Sequence, residues 1–303
     1  MNSLPQAHAH NSANAAGAMW IVASCLAFAA QAVCVKLLGR DLDSFQIVFL
    51  RCVLTGLFVL PLAIRAGGIR TSRPGMHIMR GLLGVTAMAC TYYAITKLPL
   101  ADVTAINFSK AMFTVVTAAI LLGEVVGWRR WTATGLGFLG VLIMIRPGFA
   151  TVEFATLVAL AAAFLAGFIV TLLKKLSTTE KSITIMFYFG VCGSIATAPM
   201  AIYVWQPMSW AMIGLTLLAA IVGTFAQWAA IKGWSRGDTA SLAPFSYTQL
   251  IFAAVLGYIV FLEIPDEWTV VGALVIAGSA LYIGQREARL RRQAAAQAQP
   301  AAE

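Results

Sequence analysis

"NFSKAMF" (Asn107–Phe113) and "SYTQLIF" (Ser246–Phe252) lie 139 residues apart and match polar position for polar position. Phe108 aligns with Tyr247, Ser109 with Thr248 and Lys110 with Gln249. The match extends outward. Glu124 aligns with Glu263 at the same shift. A shift of 138 aligns Lys36 with Lys174, Ser44 with Ser182 and Pro61 with Pro199, and a shift of 137 aligns Trp131, Thr132 and Gly135 with Trp268, Thr269 and Gly272. Small loop gaps absorb the drift, so the chain reads as two copies of one unit.

Each copy carries five apolar runs: 17–37, 45–64, 76–97, 102–123 and 129–146, then 153–174, 182–203, 209–231, 239–262 and 267–285. Each is close to the ~20 residues that carry a helix across a bilayer. The 303 residues are 60% hydrophobic and 11% charged, with a mean hydropathy of +0.83. A soluble domain is about half apolar and a quarter charged. The runs do not alternate and are about twice the length of a barrel strand, which leaves helices as the way to satisfy the backbone in lipid.

Five is odd, so the second copy must be inverted in the membrane. The loops agree: "GEVVGWRRW" (Gly123–Trp131) carries two arginines and its counterpart "LEIPDEW" (Leu262–Trp268) carries none. The expected fold is an all-α polytopic membrane protein of ten transmembrane helices in two inverted five-helix repeats, residues 17–146 and 153–285. A disordered tail (1–16) and a basic, low-complexity tail (286–303) flank them. Inverted repeats recur in secondary transporters, with the site near the midplane between the repeats.

Basic residues fix the expected orientation. With the N-terminus inside, Arg65, Arg70, Arg73, Arg129, Arg130, Lys174, Lys175, Lys232 and the C-terminal arginines face the cytoplasm. Lys36, Arg40, Lys97 and Arg146 face out. Both termini are expected in the cytoplasm and the chain in the inner (plasma) membrane. The basic C-terminus is read as touching anionic lipid and not nucleic acid. Residues 1–16 lack the basic region of a signal peptide, and His8 and His10 are read as tail residues. Cys25, Cys34, Cys52, Cys90 and Cys192 fall inside predicted helices without a CxxC pair, as buried small hydrophobes do.

"APFSYTQLIFAAVLGYIVFLEIPDEWTVVGALVIAGSALYIGQRE" (Ala243–Glu287) resembles the last two helices of EamA-like members of the drug/metabolite transporter superfamily. "YYAITKLPLADVTAINF" (Tyr92–Phe108) and "LLGEVVGWRRWTATGLGFLGVLIMIRPG" (Leu121–Gly148) resemble the matching part of the first repeat. The resemblance spans roughly residues 17–287. It implies a central cavity lined mainly by membrane helices 1, 3, 4, 6, 8 and 9, with alternating access. The chain departs from the family pattern at Ala111, where many relatives carry proline.

Lys110 falls near the centre of the fourth run. Thr104, Asn107, Lys110, Thr114 and Thr117 share one helical face. A lysine at a helix centre costs about 3 kcal/mol to insert. Glu124, the nearest acid in its own run, is 14 residues away, about 21 Å along a helix. A structural lysine would need a partner that no midplane carboxylate supplies. Lys110 is therefore expected to serve substrate, either by binding an anionic group or by gaining and losing a proton.

Gln249 is its counterpart in the second repeat and suits an amide or ring edge, or an interhelical hydrogen bond. Gln31 and Gln227 are similar cases. Tyr92, Trp228 and Tyr247 are candidate stacking walls, against the commoner roles of packing or lipid contact. Arg51 is expected to snorkel or cap a neighbouring helix end, in preference to guarding an anion entrance. Glu124 and Glu263 recur at one place in each repeat, which points to architecture such as bonding to the start of the next helix.

The expected function is a secondary active transporter that moves a small organic metabolite, anionic or zwitterionic, by alternating access. The alternative is an exporter of amphipathic cations or drugs. An enzyme or channel is disfavoured: no HExxH, GxSxG or P-loop pattern is present, and no paired midplane carboxylates. No cofactor, metal or catalytic residue is expected. The expected partners are substrate and membrane lipid. Gly135, Gly137 and Gly140 would permit a homodimer contact or one within the chain.

Overall fold

The computed structural model describes residues 4–65, 70–122, 127–146, 153–176, 179–234, 242 and 245–298. Among them the chain forms helices: α1 (Leu4–Leu38), α2 (Ser44–Arg65), α3 (Pro74–Lys97), α4 (Leu100–Phe108), α5 (Lys110–Leu122), α6 (Trp128–Ile145), α7 (Phe154–Leu176), α8 (Ser182–Tyr203), α9 (Trp210–Trp234), α10 (Thr248–Phe261) and α11 (Glu267–Ala298). No strand occurs among the described residues.

Among the described residues, six helices are long and apolar enough to cross a membrane: Ala16–Leu38, Ser44–Arg65, Pro74–Lys97, Phe154–Leu173, Ser182–Tyr203 and Trp210–Gly233. Shorter apolar helices cover Trp131–Ile145, Thr248–Phe261 and Glu267–Ile283. The molecule is a membrane protein. Its outer faces carry large exposed apolar side chains such as Ile120, Ile195, Ile202 and Leu274, as lipid contact requires. α1 extends back over residues 4–15, ahead of its apolar span.

The run expected at 102–123 is two helices. At the junction the Ser109 amide and hydroxyl both donate to the Ile106 carbonyl, at 2.9 and 2.6 Å. That tightens the turn and interrupts the regular ladder. Ser109 keeps right-handed dihedrals (φ −63°, ψ −13°), so the chain goes on as α5. In the second half α10 starts at Thr248, the residue aligned with Ser109. Part of the run expected at 239–262 lies outside the described residues, as do Glu124 and the Lys174 and Lys175 side chains.

The bundle is built from helix pairs: α1 on α9, α3 on α7, α2 on α8, and α6 on α11. α5 also packs on α7, α10 on α1, and α4 on α10. Small residues set these contacts, because helices in lipid associate by close packing. A Cβ on Gly140 would lie 2.9 Å from the Gly272 carbonyl oxygen, so α6 and α11 touch backbone to backbone. Gly137 backs onto Met112. Both glycines thus make their close approach within the chain, while Gly135 faces open space.

Candidate functional site

A cavity of about 240 Å³ lies between the two halves of the chain. α1 gives it Gln31, α2 Arg51, α3 Tyr92 and Thr91, α4 Thr104 and Asn107, α9 Gln227 and α10 Gln249. α7 contributes only Ala166. Its polar lining is carboxamides, hydroxyls and one guanidinium, with no carboxylate. Of the residues singled out from sequence, Gln31, Tyr92, Asn107, Gln227 and Gln249 meet here.

The best-defined part of the wall is a triad across three helices. With its amide oxygen turned inward, Gln31 accepts from the Tyr92 hydroxyl at 3.1 Å, from Arg51 Nε at 2.6 Å and from Arg51 Nη2 at 3.1 Å. That orientation is assigned from the network, since the alternative would face donors with donors. Arg51 Nη1 reaches Met88 Sδ at 2.8 Å. All three triad side chains are buried. Arg51 therefore does not snorkel or cap a helix end. Two signals pointed to it: Arg51 is a basic residue two turns inside a span, and Gln31 is a polar residue at matching depth in the first.

Lys110 opens α5, one turn beyond Asn107. The residue is exposed. Among the described residues the Cys25 thiol of α1 lies within electrostatic reach of it. That thiol donates to the Ser246 carbonyl at 3.4 Å, at the approach to α10. Lys110 forms no ion pair among the described residues.

The remaining candidates lie elsewhere. Thr114 donates to the Lys110 carbonyl at 2.8 Å and approaches the Gly167 carbonyl of α7 at 3.4 Å. Thr117 meets Thr171 at 3.0 Å. The lower part of the polar stripe thus lies in the α5–α7 seam. Tyr247 stacks on Phe108, its counterpart in the other half, with centroids 4.7 Å apart and planes at 28°. Trp228 packs edge-on against Trp20 at 5.1 Å, with Lys232 4.3 Å above its ring.

One end of the bundle is closed above the cavity. Lys36 pairs with Glu263 and also donates to the Leu98 carbonyl at 2.5 Å. The other Glu263 oxygen accepts from the Leu100 amide at 2.9 Å, at the start of α4. Glu263 is thus architectural, but it bonds to α4 and not to the helix that follows it. Gln46 and Gln206 exchange two hydrogen bonds of 2.9 and 2.8 Å between α2 and the segment after α8. Leu38, Leu42, Leu98 and Leu100 are buried around these links.

The arrangement offers a polar chamber, sealed at the Lys36 end, to a small solute. A family model described as "EamA-like transporter family" matches residues 15–146 and 153–285. The chain is 29% identical over 269 residues to an S-adenosylmethionine uptake transporter of Rickettsia prowazekii, covering 88% of this chain and 92% of that one. It is 30% identical to a riboflavin transporter of Brucella anthropi, over 90% of this chain and 100% of that one. It is 25% identical to the pseudopaline exporter CntI of Pseudomonas aeruginosa, over 89% and 96%. A crystal structure with 20% identity superposes with a TM-score of 0.58 over 92% of this chain and 98% of that one, which bears on the fold alone.

Proposed function

This chain belongs to the EamA-like transporter family, and from that premise we propose that it is a secondary active transporter of a small organic anion or zwitterion. The observation that carries the reading is the convergence of polar side chains from both halves of the sequence on one cavity in an otherwise apolar bundle. Relatives at 25–30% identity are named for the transport of S-adenosylmethionine, riboflavin and pseudopaline. Gln31, Tyr92, Asn107, Gln227 and Gln249 contact substrate. Lys110 draws its anionic group toward the cavity from the unsealed side. Thr114, Tyr247 and Trp228 hold the surrounding helices together.

Two observations support ten spans in two inverted repeats, with α4 and α5 as one span. Exchanging the halves turns the α1–α9 pair into α7–α3 and the α10–α1 pair into α5–α7, and both members of each exchange are packed. Phe108 stacks on its own counterpart, as residues flanking a pseudo-two-fold axis do. Departure from that symmetry supports alternating access. α1 packs on α3 toward the Lys36 end, whereas α7 and α9 show no comparable packing among the described residues. With both termini cytoplasmic in the inner membrane, the sealed end faces out and this state faces in.

An exporter of amphipathic cations fits less well, because Arg51 places positive charge in the cavity wall and no lining carboxylate offsets it. The test is thermal stability of purified wild type and Lys110→Gln against anions, zwitterions, flat heterocycles and cations. A specific ligand raises the midpoint by mass action. Anionic solutes are expected to raise it in the wild type and not in the variant. Equal stabilisation of both proteins by cations would overturn the assignment.

A further inference from the structure

Arg51 is a buried cation without a counter-ion. It is 8% exposed and borders the central cavity. A guanidinium carries five N–H donors and accepts nothing. Two of them share one neutral carboxamide oxygen on Gln31, and one meets the thioether of Met88, a weak acceptor. No carboxylate pairs with it among the described residues. Around it stand the Tyr92 hydroxyl and, across the cavity, the side chains of Asn107, Gln227 and Gln249, all neutral.

Removing a charge from water without a partner is costly, and proteins answer with an opposite charge or a bound ligand. Here no opposite charge stands in the wall. Gln31 is itself fixed by Tyr92, so the planar fork is held in place before anything binds. Such a fork matches the two oxygens of a carboxylate. Lysine could offer only a point charge.

We infer that Arg51, positioned by Gln31 and Tyr92, is the carboxylate subsite at the sealed end of the cavity, so the transported class is small organic carboxylates. This rests on the transporter reading and narrows it. Lys110 gathers anions in general, whereas Arg51 distinguishes a carboxylate from its neutral amide. The fork sits on α2, outside the helices that the family resemblance assigns to the cavity.

The test uses the full chain purified in detergent and matched pairs of probes: acetate and acetamide, benzoate and benzamide, phenylalanine and phenylalaninamide. Binding is read from the thermal midpoint and from titration calorimetry. In the wild type the carboxylate of at least one pair is expected to bind about tenfold or more tightly than its amide, as charged hydrogen bonds imply. Arg51→Met is expected to erase that preference, and Arg51→Lys to retain only part of it. If Arg51→Met does not fold, Arg51→Lys alone decides, because it keeps the charge and loses the fork. Discrimination at wild-type strength in Arg51→Lys, or a wild type that binds amides as well as carboxylates, overturns the inference while leaving the transporter reading intact. A wild type that neither binds nor, in proteoliposomes, carries any probe overturns the transporter reading and this subsite with it.

Discussion

Two half-hidden cations one helix apart make the instructive contrast. Lys36, near the end of α1, meets the carboxylate of Glu263 and the carbonyl of Leu98, and Glu263 also holds the start of α4. Arg51, in α2, meets only a carboxamide and a thioether. The first charge is matched, and it ties helices together. The second lies beside a cavity and has no opposite charge. Beside a polar cavity an unmatched charge marks the place of a charged ligand, whereas the matched one marks architecture.

The largest effect should come from unmatching the first pair. Glu263→Gln leaves Lys36 half-buried without its partner and weakens the cap on Leu100. A loss of about 3 kcal/mol is expected, since breaking a buried pair strands a charge, and denaturant unfolding in detergent measures it. Lys36→Met combined with Glu263→Gln should recover most of that loss. If the double variant is as unstable as the single one, the pair is not what joins these helices.

Gln31→Leu attacks the other side of the comparison. It removes the acceptor shared by Arg51 and Tyr92 and leaves both donors unmet, at a cost of about 1–3 kcal/mol. The same unfolding assay reads this, and a bound carboxylate should restore part of it. Packing provides a smaller contrast. Gly272→Ala would place a Cβ 2.6 Å from the Gly140 carbonyl oxygen and 2.9 Å from Met144 Cβ. Overpacking of this kind costs about 1–3 kcal/mol. Gly135→Ala meets nothing within 4 Å and should leave the midpoint unchanged or slightly raised.

The smallest effect lies at a loop. Glu180, between α7 and α8, accepts from the Thr71 hydroxyl at 2.7 Å and the Ser72 amide at 3.0 Å. The Thr71 bond comes first in holding its carboxyl below the usual glutamate range. A group depressed in the folded state stabilises above its ordinary range and loses that contribution as pH falls through its folded value. Midpoints measured from pH 7 down to pH 4 should therefore fall slightly less in Glu180→Gln than in the wild type. Its place in a partly exposed loop keeps the effect modest.

The apolar helices could be read directly, because lipid imposes length and apolarity on every span. Gln31, Asn107 and Gln249 were legible as a polar minority in apolar helices, and they meet in one cavity. The break at Ser109 was hidden, since its cause is one serine bonding to its own helix. Arg51 was legible as a charge and not as a cavity residue, because depth along a helix does not fix the direction a side chain faces. Thr114 showed the opposite error. It shares the polar face of Lys110 yet is directed to the Gly167 carbonyl, because α7 packs closely enough there to claim it.

The charge preference of the cavity can be read from counterflow in proteoliposomes, with wild type loaded in turn with benzoate, benzamide and a quaternary ammonium of similar size. The unmatched Arg51 at the cavity predicts that the carboxylate moves, that its amide moves far more slowly and that the cation does not move at all. Carriage of the quaternary ammonium together with exclusion of the carboxylate would contradict the account.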